Sequence, residues 1–316
     1  MNAHDLRDRA LDLAFAAGWG AINRLPERLA AAGFRAAADV AVRRESKGVR
    51  RLRVNLRRVV GPQCPEPEFD ALIKSAMRSY CRYWLETFRL PTMDLDEVAA
   101  RVHENTEGMD HIDRAMATGR GLILALPHMG NWDVAAIWLI KHGVPFTTVA
   151  ERLRPESVYE SFLRFRQSLG FEVLPLTGGA SPFGTLAQRL RAGGLVCLVS
   201  DRDLKESGVE VEMFGEPARI SAVAALAVHT GAALMPTATW FDGEDWGARI
   251  YDEIPVPETG TRAEKVAAMS QAMADRFTEA IAEHPQDWHM LQKVFTADLD
   301  PARLPRPSVP VPRNES

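Results

Sequence analysis

The sequence predicts an α/β protein with a largely parallel central sheet flanked by helices, and with an N-terminal helical extension. Two patterns lead to this prediction. Short, continuous apolar runs bounded by Gly and Pro are typical of strands buried on both faces. Segments with helical spacing separate these runs, and such alternation favours parallel strands joined by right-handed crossovers. The predicted strands are Gly121–Leu126, Pro145–Ala150, Phe171–Leu176, Leu195–Ser200, Ala233–Trp240 and Ala248–Ile254.

The predicted helices lie between these strands and on either side of them. Those between strands are Asp133–His142, Pro155–Leu169, Pro182–Ala192 and Ser221–Thr230. A long helix from Glu68 to about Phe88 precedes the sheet, and a final helix, Ala263–Ala282, follows it. The chain therefore divides into an N-terminal amphipathic and basic helical extension (residues 1–60), one α/β domain (61–297) and a tail (298–316). The tail carries many prolines and few apolar residues, so we expect it to be disordered.

Composition bounds the classes of function. The chain has 316 residues, of which 46% are hydrophobic, enough for one large core or two modest ones. A net charge of −4 argues against a general nucleic-acid-binding protein. No run of about 18 apolar residues occurs, so no membrane-spanning helix is predicted. The three cysteines and the scattered histidines have no metal-ligand spacing, and no metal site is predicted.

The segment Arg43–Val60 predicts a basic amphipathic helix. Apolar residues Val49, Leu52 and Leu56 form one stripe at helical spacing, and arginines occupy the other faces. One interpretation is a helix that binds an anionic membrane surface. The alternative is a helix packed on the domain with a solvated basic face. The sequence alone favours neither.

A histidine and an aspartate follow the first predicted strand. His128 and Asp133 lie where that strand hands over to a helix, which is the edge at which open α/β sheets bind ligands. Pro127 and Gly130 flank His128 with a stiff entry and open space, as a general base requires. The alternative is structural, with Asp133 capping the helix and His128 hydrogen-bonded in the loop.

A second acid is predicted at the same edge of the sheet. Asp201 follows the strand Leu195–Ser200, so it should lie near His128 and could accept a hydrogen bond from one ring nitrogen. That bond would fix the tautomer that leaves the other nitrogen basic. Alternatively, Asp201 pairs with Arg202 or caps a turn. Asp133 competes for the same role, and both acids remain candidates.

Four ordered blocks extend this pattern over most of the chain. They are Pro127–Asp133, Ser200–Asp203 with Phe214–Gly215, Thr230–Ala232, and His284–Trp288. Together they resemble the HX4D glycerolipid acyltransferase superfamily, and within it the branch of the lipid A late acyltransferases and the phosphatidylinositol mannoside acyltransferases. The resemblance implies that residues 61–297 form an acyltransferase domain in which His128, Asp133 and Asp201 are catalytic. It also implies a long acyl chain, palmitoyl above all, moving from acyl-CoA to a mannose hydroxyl of a phosphatidylinositol mannoside.

Basic side chains are candidates for binding the phosphates of acyl-CoA or of a lipid headgroup. They are Arg164, Arg166 and Arg202. Helical spacing puts Arg164 and Arg166 on different faces, so at most one should reach the site, and Arg166 better matches the family pattern. Ser207 is a candidate donor to the pantetheine or phosphates of the acyl donor. Phe214–Gly215 and the helix Ala222–Val228 are candidate walls of an acyl groove.

The expected partners are acyl-CoA as a substrate, a glycolipid acceptor and an anionic membrane surface, with no cofactor and no metal. The resemblance implies a peripheral protein on the cytoplasmic face of the plasma membrane. Three alternatives stay open. They are an acyltransferase for another glycolipid such as a lipid A precursor, a thioesterase of the same fold, and a non-catalytic membrane adaptor.

Overall fold

A seven-stranded sheet forms the centre of the protein in the computed structural model, which describes residues 18–151, 156–176, 181–203 and 208–299. The strand order is β1-β9-β8-β2-β5-β3-β4, and only the β8–β9 pair is antiparallel. The strands are β1 (Thr106–Glu107), β2 (Leu122–Leu126), β3 (Phe146–Ala150), β4 (Glu172–Pro175), β5 (Leu195–Val199), β6 (Val209–Met213), β7 (Glu216–Ile220), β8 (Ala233–Asp242) and β9 (Asp245–Ile250). The predicted α/β class with a largely parallel sheet is confirmed.

Helices cover both faces of this sheet. They are α1 (Glu27–Arg43), α2 (Lys47–Val60), α3 (Glu66–Arg89), α4 (Leu95–Glu104), α5 (Met109–Ala117), α6 (Trp132–Lys141), α7 (Glu156–Ser168), α8 (Phe183–Arg191), α9 (Ala224–Thr230) and α10 (Arg262–Glu283). Residues 18–24 are also helical. Short 3-10 turns occur at Leu90–Thr92, Pro285–Asp287 and Thr296–Asp298.

The central strand β2 explains why the sheet is buried on both sides. All five of its residues are buried, and successive side chains of a strand point to opposite faces. Ile123 and Ala125 pack into a core shared with α2, α3, α8, α9 and α10. Leu122, Leu124 and Leu126 pack into a second core shared with α4, α5, α6 and α7. The continuous apolar run that predicts this strand therefore serves two cores.

A separate hairpin, β6–β7, was not among the predicted strands. Its two-residue turn is Phe214–Gly215, with φ angles of 52° and 74°. Both angles are positive, as a tight type I′ hairpin turn requires, and glycine adopts such angles without steric cost. Phe214–Gly215 is thus a hairpin turn, which explains this block without an acyl groove.

The N-terminal basic helix packs on the domain. Val49, Leu52 and Leu56 of α2 are buried in the core shared with α3. On the outer faces, Arg53 donates to Asp70 (2.6 Å), and Arg57 is ion-paired with Glu66. The interpretation in which this apolar stripe meets lipid is therefore wrong, and the stripe packs on the domain, as the alternative interpretation has it.

Two further sequence predictions concern residues that the structure does not describe. Residues 1–17 of the predicted extension lie outside the described part of the chain, and so does the predicted tail beyond residue 299. Within the described ranges, no helix combines the length and the apolar character needed to cross a bilayer.

Candidate active site

The candidate site lies at the carboxyl ends of β2 and β5. These parallel strands pair in register, so that Leu126 lies opposite Val199. His128 and Asp201 each follow two residues later, and the register therefore brings them together. The amide of Ser200 also donates to the Leu126 carbonyl (2.7 Å), which continues the pairing to the edge of the site. The predicted meeting of His128 and Asp201 at one edge is confirmed.

Asp201 holds His128 through two hydrogen bonds. His128 Nδ1 and Asp201 Oδ1 are 2.5 Å apart, and the backbone N–H of His128 donates to Oδ2 at 2.9 Å. Trp288 Nε1 donates to the same Oδ2 at 2.8 Å. With Nδ1–H directed at the carboxylate, Nε2 carries the free lone pair that a general base needs. The His128 side chain is 28% exposed, so this nitrogen can meet a substrate.

The Asp201 carboxylate is fully buried and ionised. Burial alone would raise the pKa of Asp201, but the charge of His128 and the hydrogen bonds from His128 and Trp288 outweigh it. The pKa therefore lies below its ordinary value. An anion fixed behind the imidazole stabilises the imidazolium that forms when Nε2 accepts a proton.

The other aspartate of the motif, Asp133, is engaged elsewhere. Arg166 of α7 donates to both of its oxygens at 2.9 Å, and Tyr83 of α3 donates to Oδ2 at 3.2 Å. The helix cap is provided by Asn131, whose side chain accepts from the amide of Val134. The structure thus pairs His128 with Asp201, and it places Asp133 in a buried ion pair. The hydrogen bonds of Asp133 to the described residues do not include one to His128. Its catalytic role therefore stays a prediction.

Residues 284–289 hold the His128 loop in place through backbone hydrogen bonds. The amide of His289 donates to the His128 carbonyl (2.7 Å), and the amide of Gly130 donates to the Asp287 carbonyl (3.0 Å). Gly130 has a φ of 57°, and a Cβ there would lie 2.5 Å from the Thr239 backbone. Only glycine fits this approach. The block His284–Trp288 contributes to the family resemblance, but its sequence predicted no role for Trp288 or for the adjacent His289.

Ser79, Asp287 and His289 form a buried polar cluster next to the His128 loop. Ser79 Oγ donates to Asp287 Oδ1 (2.6 Å) and lies 2.8 Å from His289 Nε2. Burial, together with the charge of His128, lowers the pKa of His289 to about 3. His289 is therefore neutral near pH 7, and its backbone and ring both serve to position the loop. Nothing in the sequence pattern distinguishes this histidine from an exposed one.

The predicted substrate-binding residues are dispersed. Arg166 pairs with Asp133, whereas Arg164 is exposed and pairs with Glu160, so the predicted difference between their faces is confirmed. Arg202 is buried, and its Nη2 donates to Glu151 Oε2 (3.2 Å). Ser207 lies outside the described residues.

A narrow apolar cavity adjoins the dyad. Its volume is about 100 Å³, several times the space that one water molecule requires. The ring of Trp132, which lines it, lies 5.8 Å from the His128 ring, and Asp133 and Arg166 form part of its wall. Most other lining side chains are apolar and come from β2, β5 and α4 to α6. The cavity therefore lies on the α6 face of the sheet, whereas the predicted groove walls, Phe214–Gly215 and Ala222–Val228, belong to the opposite core.

No group of three or more metal-ligating side chains gathers within the described residues.

Comparison with known protein families identifies the class of enzymes to which this fold and this dyad belong. The pattern of the bacterial lipid A biosynthesis acyltransferase family matches residues 4–297, and the chain belongs to this family. The resemblance inferred from the four sequence blocks is confirmed. A phosphatidylinositol mannoside acyltransferase of Mycobacterium tuberculosis (strain CDC 1551 / Oshkosh) is 49% identical over 297 residues, covering 93% of this chain and 91% of the relative.

Two more relatives show how the similarity is distributed. A phosphatidylinositol mannoside acyltransferase of Mycolicibacterium smegmatis is 48% identical over 304 residues, covering 95% of this chain and 96% of the relative. A lipid A biosynthesis acyltransferase of Haemophilus influenzae is 30% identical over 109 residues, covering 34% of this chain and 33% of the relative. The similarity to the mannoside enzymes thus spans nearly the whole chain.

Proposed function

We propose that the protein is a membrane-associated acyltransferase that moves a long acyl chain, palmitoyl, from acyl-CoA to a mannose hydroxyl of a phosphatidylinositol mannoside. The observation that carries this proposal is the His128–Asp201 dyad beside a narrow apolar cavity. The acceptor follows from the relatives that are 48% and 49% identical to this chain, both of which are phosphatidylinositol mannoside acyltransferases. No cofactor takes part, and acyl-CoA is a substrate.

The reaction is a direct transfer. His128 Nε2 removes the proton of the acceptor hydroxyl as its oxygen attacks the thioester carbonyl carbon. The buried Asp201 carboxylate stabilises the resulting imidazolium. The C–S bond then breaks, the acyl group stays on the sugar oxygen, and the imidazolium returns its proton to the departing CoA thiolate. Backbone amides or cationic side chains stabilise the oxyanion of the tetrahedral intermediate.

The apolar cavity is the proposed place of the acyl chain, and its walls must move apart to admit a chain as long as palmitoyl, because its volume is only about 100 Å³. Trp132 lines this cavity, and its ring centroid lies 5.8 Å from that of His128, so the cavity is close to the side chain that would activate the acceptor. A narrow slot lined by leucine, isoleucine, valine and phenylalanine side chains favours an unbranched apolar chain over water. The thioester carbon would then lie at the mouth of the slot, within reach of the dyad.

Purified protein, acyl-CoA donors of increasing chain length and a panel of acceptors test this function. We expect transfer to a phosphatidylinositol mannoside, with the highest kcat/KM for the palmitoyl donor, and turnover that is lower by roughly 10²-fold or more in His128→Ala. The panel also contains phosphatidylinositol without mannose, a lipid A precursor and water alone. Release of free fatty acid at the same rate with and without acceptor would identify a thioesterase instead. Faster transfer to the lipid A precursor would reassign the acceptor.

Membrane association is proposed to involve the N-terminal helices. Leu25 and Leu29 are 44% and 61% exposed, and they flank the junction between residues 18–24 and α1. Exposed leucines at a helix junction can enter the interface between headgroups and acyl chains of a bilayer. The protein would then be peripheral on the cytoplasmic face of the plasma membrane, with its site open to lipid acceptors.

Liposome flotation tests this placement. Leu25→Gln combined with Leu29→Gln should weaken binding to liposomes that contain phosphatidylinositol, because two inserting side chains are lost. Val256→Gln is the matched control, since Val256 is also an exposed apolar residue (38%) but lies after β9. Equal binding by the double variant, the control and the wild type would remove this contact from the proposal.

A further inference from the structure

A basic cleft lies beside the dyad and is distinct from the apolar cavity. Its volume is about 760 Å³, which falls within the range of small-molecule sites. Cationic side chains outnumber carboxylates along its walls. The cations are Lys47, Arg50, Arg51, Arg202 and Lys293, and the carboxylates are Glu151 and Asp203. We call these residues and the space between them the basic cleft.

The chain connects the basic cleft directly to the dyad. Arg202 follows Asp201, the acid that holds His128. Lys293 belongs to the segment after His289, whose amide donates to the His128 carbonyl. Asn55 of α2 fixes this segment by donating to the carbonyls of Met290 and Gln292, both at 2.8 Å. The cleft is therefore built from the same elements that shape the active-site loop.

Several charges of the basic cleft are available to a ligand. Asp203 is engaged by Arg219 (3.2 Å), so it compensates the cleft cations only in part. Lys47 and Lys293 are exposed on the rim. Arg202 is buried, and its Nε has no hydrogen-bond partner among the described residues, although its Nη2 contacts Glu151. A buried guanidinium nitrogen without a partner is costly, and an anionic ligand would satisfy it.

We propose that the basic cleft binds the phosphate groups of a coenzyme A donor. This assignment rests on the proposed function, because it presumes that the acyl donor is acyl-CoA. The 3′-phosphate and the diphosphate of coenzyme A together carry about four negative charges, whereas the phosphodiester of a phosphatidylinositol headgroup carries about one. Arg51 is ion-paired with Asp298 (2.9 Å), but the four other cations still outnumber Glu151 and Asp203 and match the donor better. The donor then spans both spaces, with its acyl chain in the apolar cavity and its phosphates in the basic cleft.

The test uses a variant of two rim lysines, Lys47→Gln with Lys293→Gln. We expect the KM for acyl-CoA, measured below its micelle-forming concentration, to rise roughly five- to tenfold while kcat stays near the wild-type value. The KM for the matching acyl-pantetheine, which lacks all these phosphates, should not change. The charge-matched control is Lys74→Gln with Arg262→Gln, two exposed cations outside the cleft. That control should behave as wild type with both donors.

The remaining outcomes separate this proposal from the proposed function. If the wild type uses acyl-CoA and the lysine variant keeps the same donor KM, the cleft assignment is refuted and the function stands. A rise in the KM for the glycolipid acceptor alone would assign the cleft to its phosphodiester and overturn our assignment. If the wild type does not use acyl-CoA as a donor, calorimetric titration of the protein with coenzyme A alone tests the cleft assignment. Binding that weakens in the lysine variant supports the cleft, and absence of binding to the wild type refutes it.

Discussion

Replacing Asp201 with asparagine should leave a folded protein in which His128 carries its proton on the wrong ring nitrogen. The Oδ2 atom of Asp201 accepts from two fixed donors, the backbone of His128 and the indole of Trp288. The asparagine carbonyl oxygen must occupy this position, because an NH2 group there would meet two donors. Its NH2 then faces His128 Nδ1, which must act as acceptor. The proton moves to Nε2, and Nε2 can no longer take the proton of an acceptor hydroxyl.

The size of the loss follows from the lost charge. At the 2.5 Å separation of Nδ1 and Oδ1, an anion stabilises an imidazolium by about 7 kcal/mol at an effective dielectric constant of about 20. The asparagine dipole keeps part of this stabilisation. We therefore expect kcat to fall roughly 10²- to 10⁴-fold, with little change in KM, since the acid does not hold the substrate.

Transfer assays at saturating donor and acceptor measure this loss, and denaturant unfolding corrects for the folded fraction. Asp201→Glu restores a carboxylate and should recover at least about tenfold over the asparagine variant. Asp133→Asn is the comparison at the other acid. It leaves the buried Arg166 charge unpaired and should lower the free energy of unfolding by about 3 kcal/mol or more. A folded Asp201→Asn protein with kcat within tenfold of wild type would refute the dyad.

Three more substitutions test the site and its support. His128→Ala should lose roughly 10²-fold or more in turnover with unchanged unfolding, and a folded variant that retains a tenth of wild-type activity excludes His128 as the base. Trp288→Phe removes one hydrogen-bond donor to Asp201, so kcat should fall about tenfold while KM stays near the wild-type value. A kcat within about twofold of wild type would show that Trp288 only fills space. The folded protein keeps His289 neutral down to about pH 3, whereas an unfolded chain protonates it near 6.5, so stability falls as the pH drops through this window. In His289→Gln the loss between pH 7 and 5.5, measured by urea unfolding, should shrink by about 1 kcal/mol; an equal loss in both proteins would place the pH dependence elsewhere.

The parallel sheet could be predicted because strands buried on both faces leave continuous apolar runs, as in β2 and β5. The β6–β7 hairpin has a different pattern. In Val209–Met213, exposed glutamates alternate with buried apolar residues, because only one face of the hairpin is covered. A search for continuous apolar runs overlooks such strands. The turn also lacks the usual Asn-Gly or Asp-Gly pair, since Phe214 occupies the first position.

Helical periodicity shows that a face is apolar but not what covers it. The stripe of α2 fits both a membrane surface and a protein core, and only the packing of α2 against α3 decides between them. The partner of His128 was open for a similar reason. Asp133 is near His128 in the chain and Asp201 is near it in the sheet, so the choice depends on strand register and on the direction of one side chain. Neither can be read from spacing.

The fixed spacing of His128 and Asp133 has a structural explanation in this fold. Asp133 lies in the first turn of α6 and binds Arg166 of α7 and Tyr83 of α3, so one carboxylate ties three helices together at the cavity wall. Its neighbour Trp132 lies between that wall and the His128 ring. Weakening the Asp133–Arg166 ion pair should therefore affect binding of the acyl chain in the cavity more than it affects proton transfer by His128. We expect the kcat/KM loss in Asp133→Asn to grow with the chain length of the donor, whereas the loss in Asp201→Asn should be the same for short and long chains. Chain-length series with both variants measure this difference, and parallel losses would return Asp133 to the proton-transfer machinery.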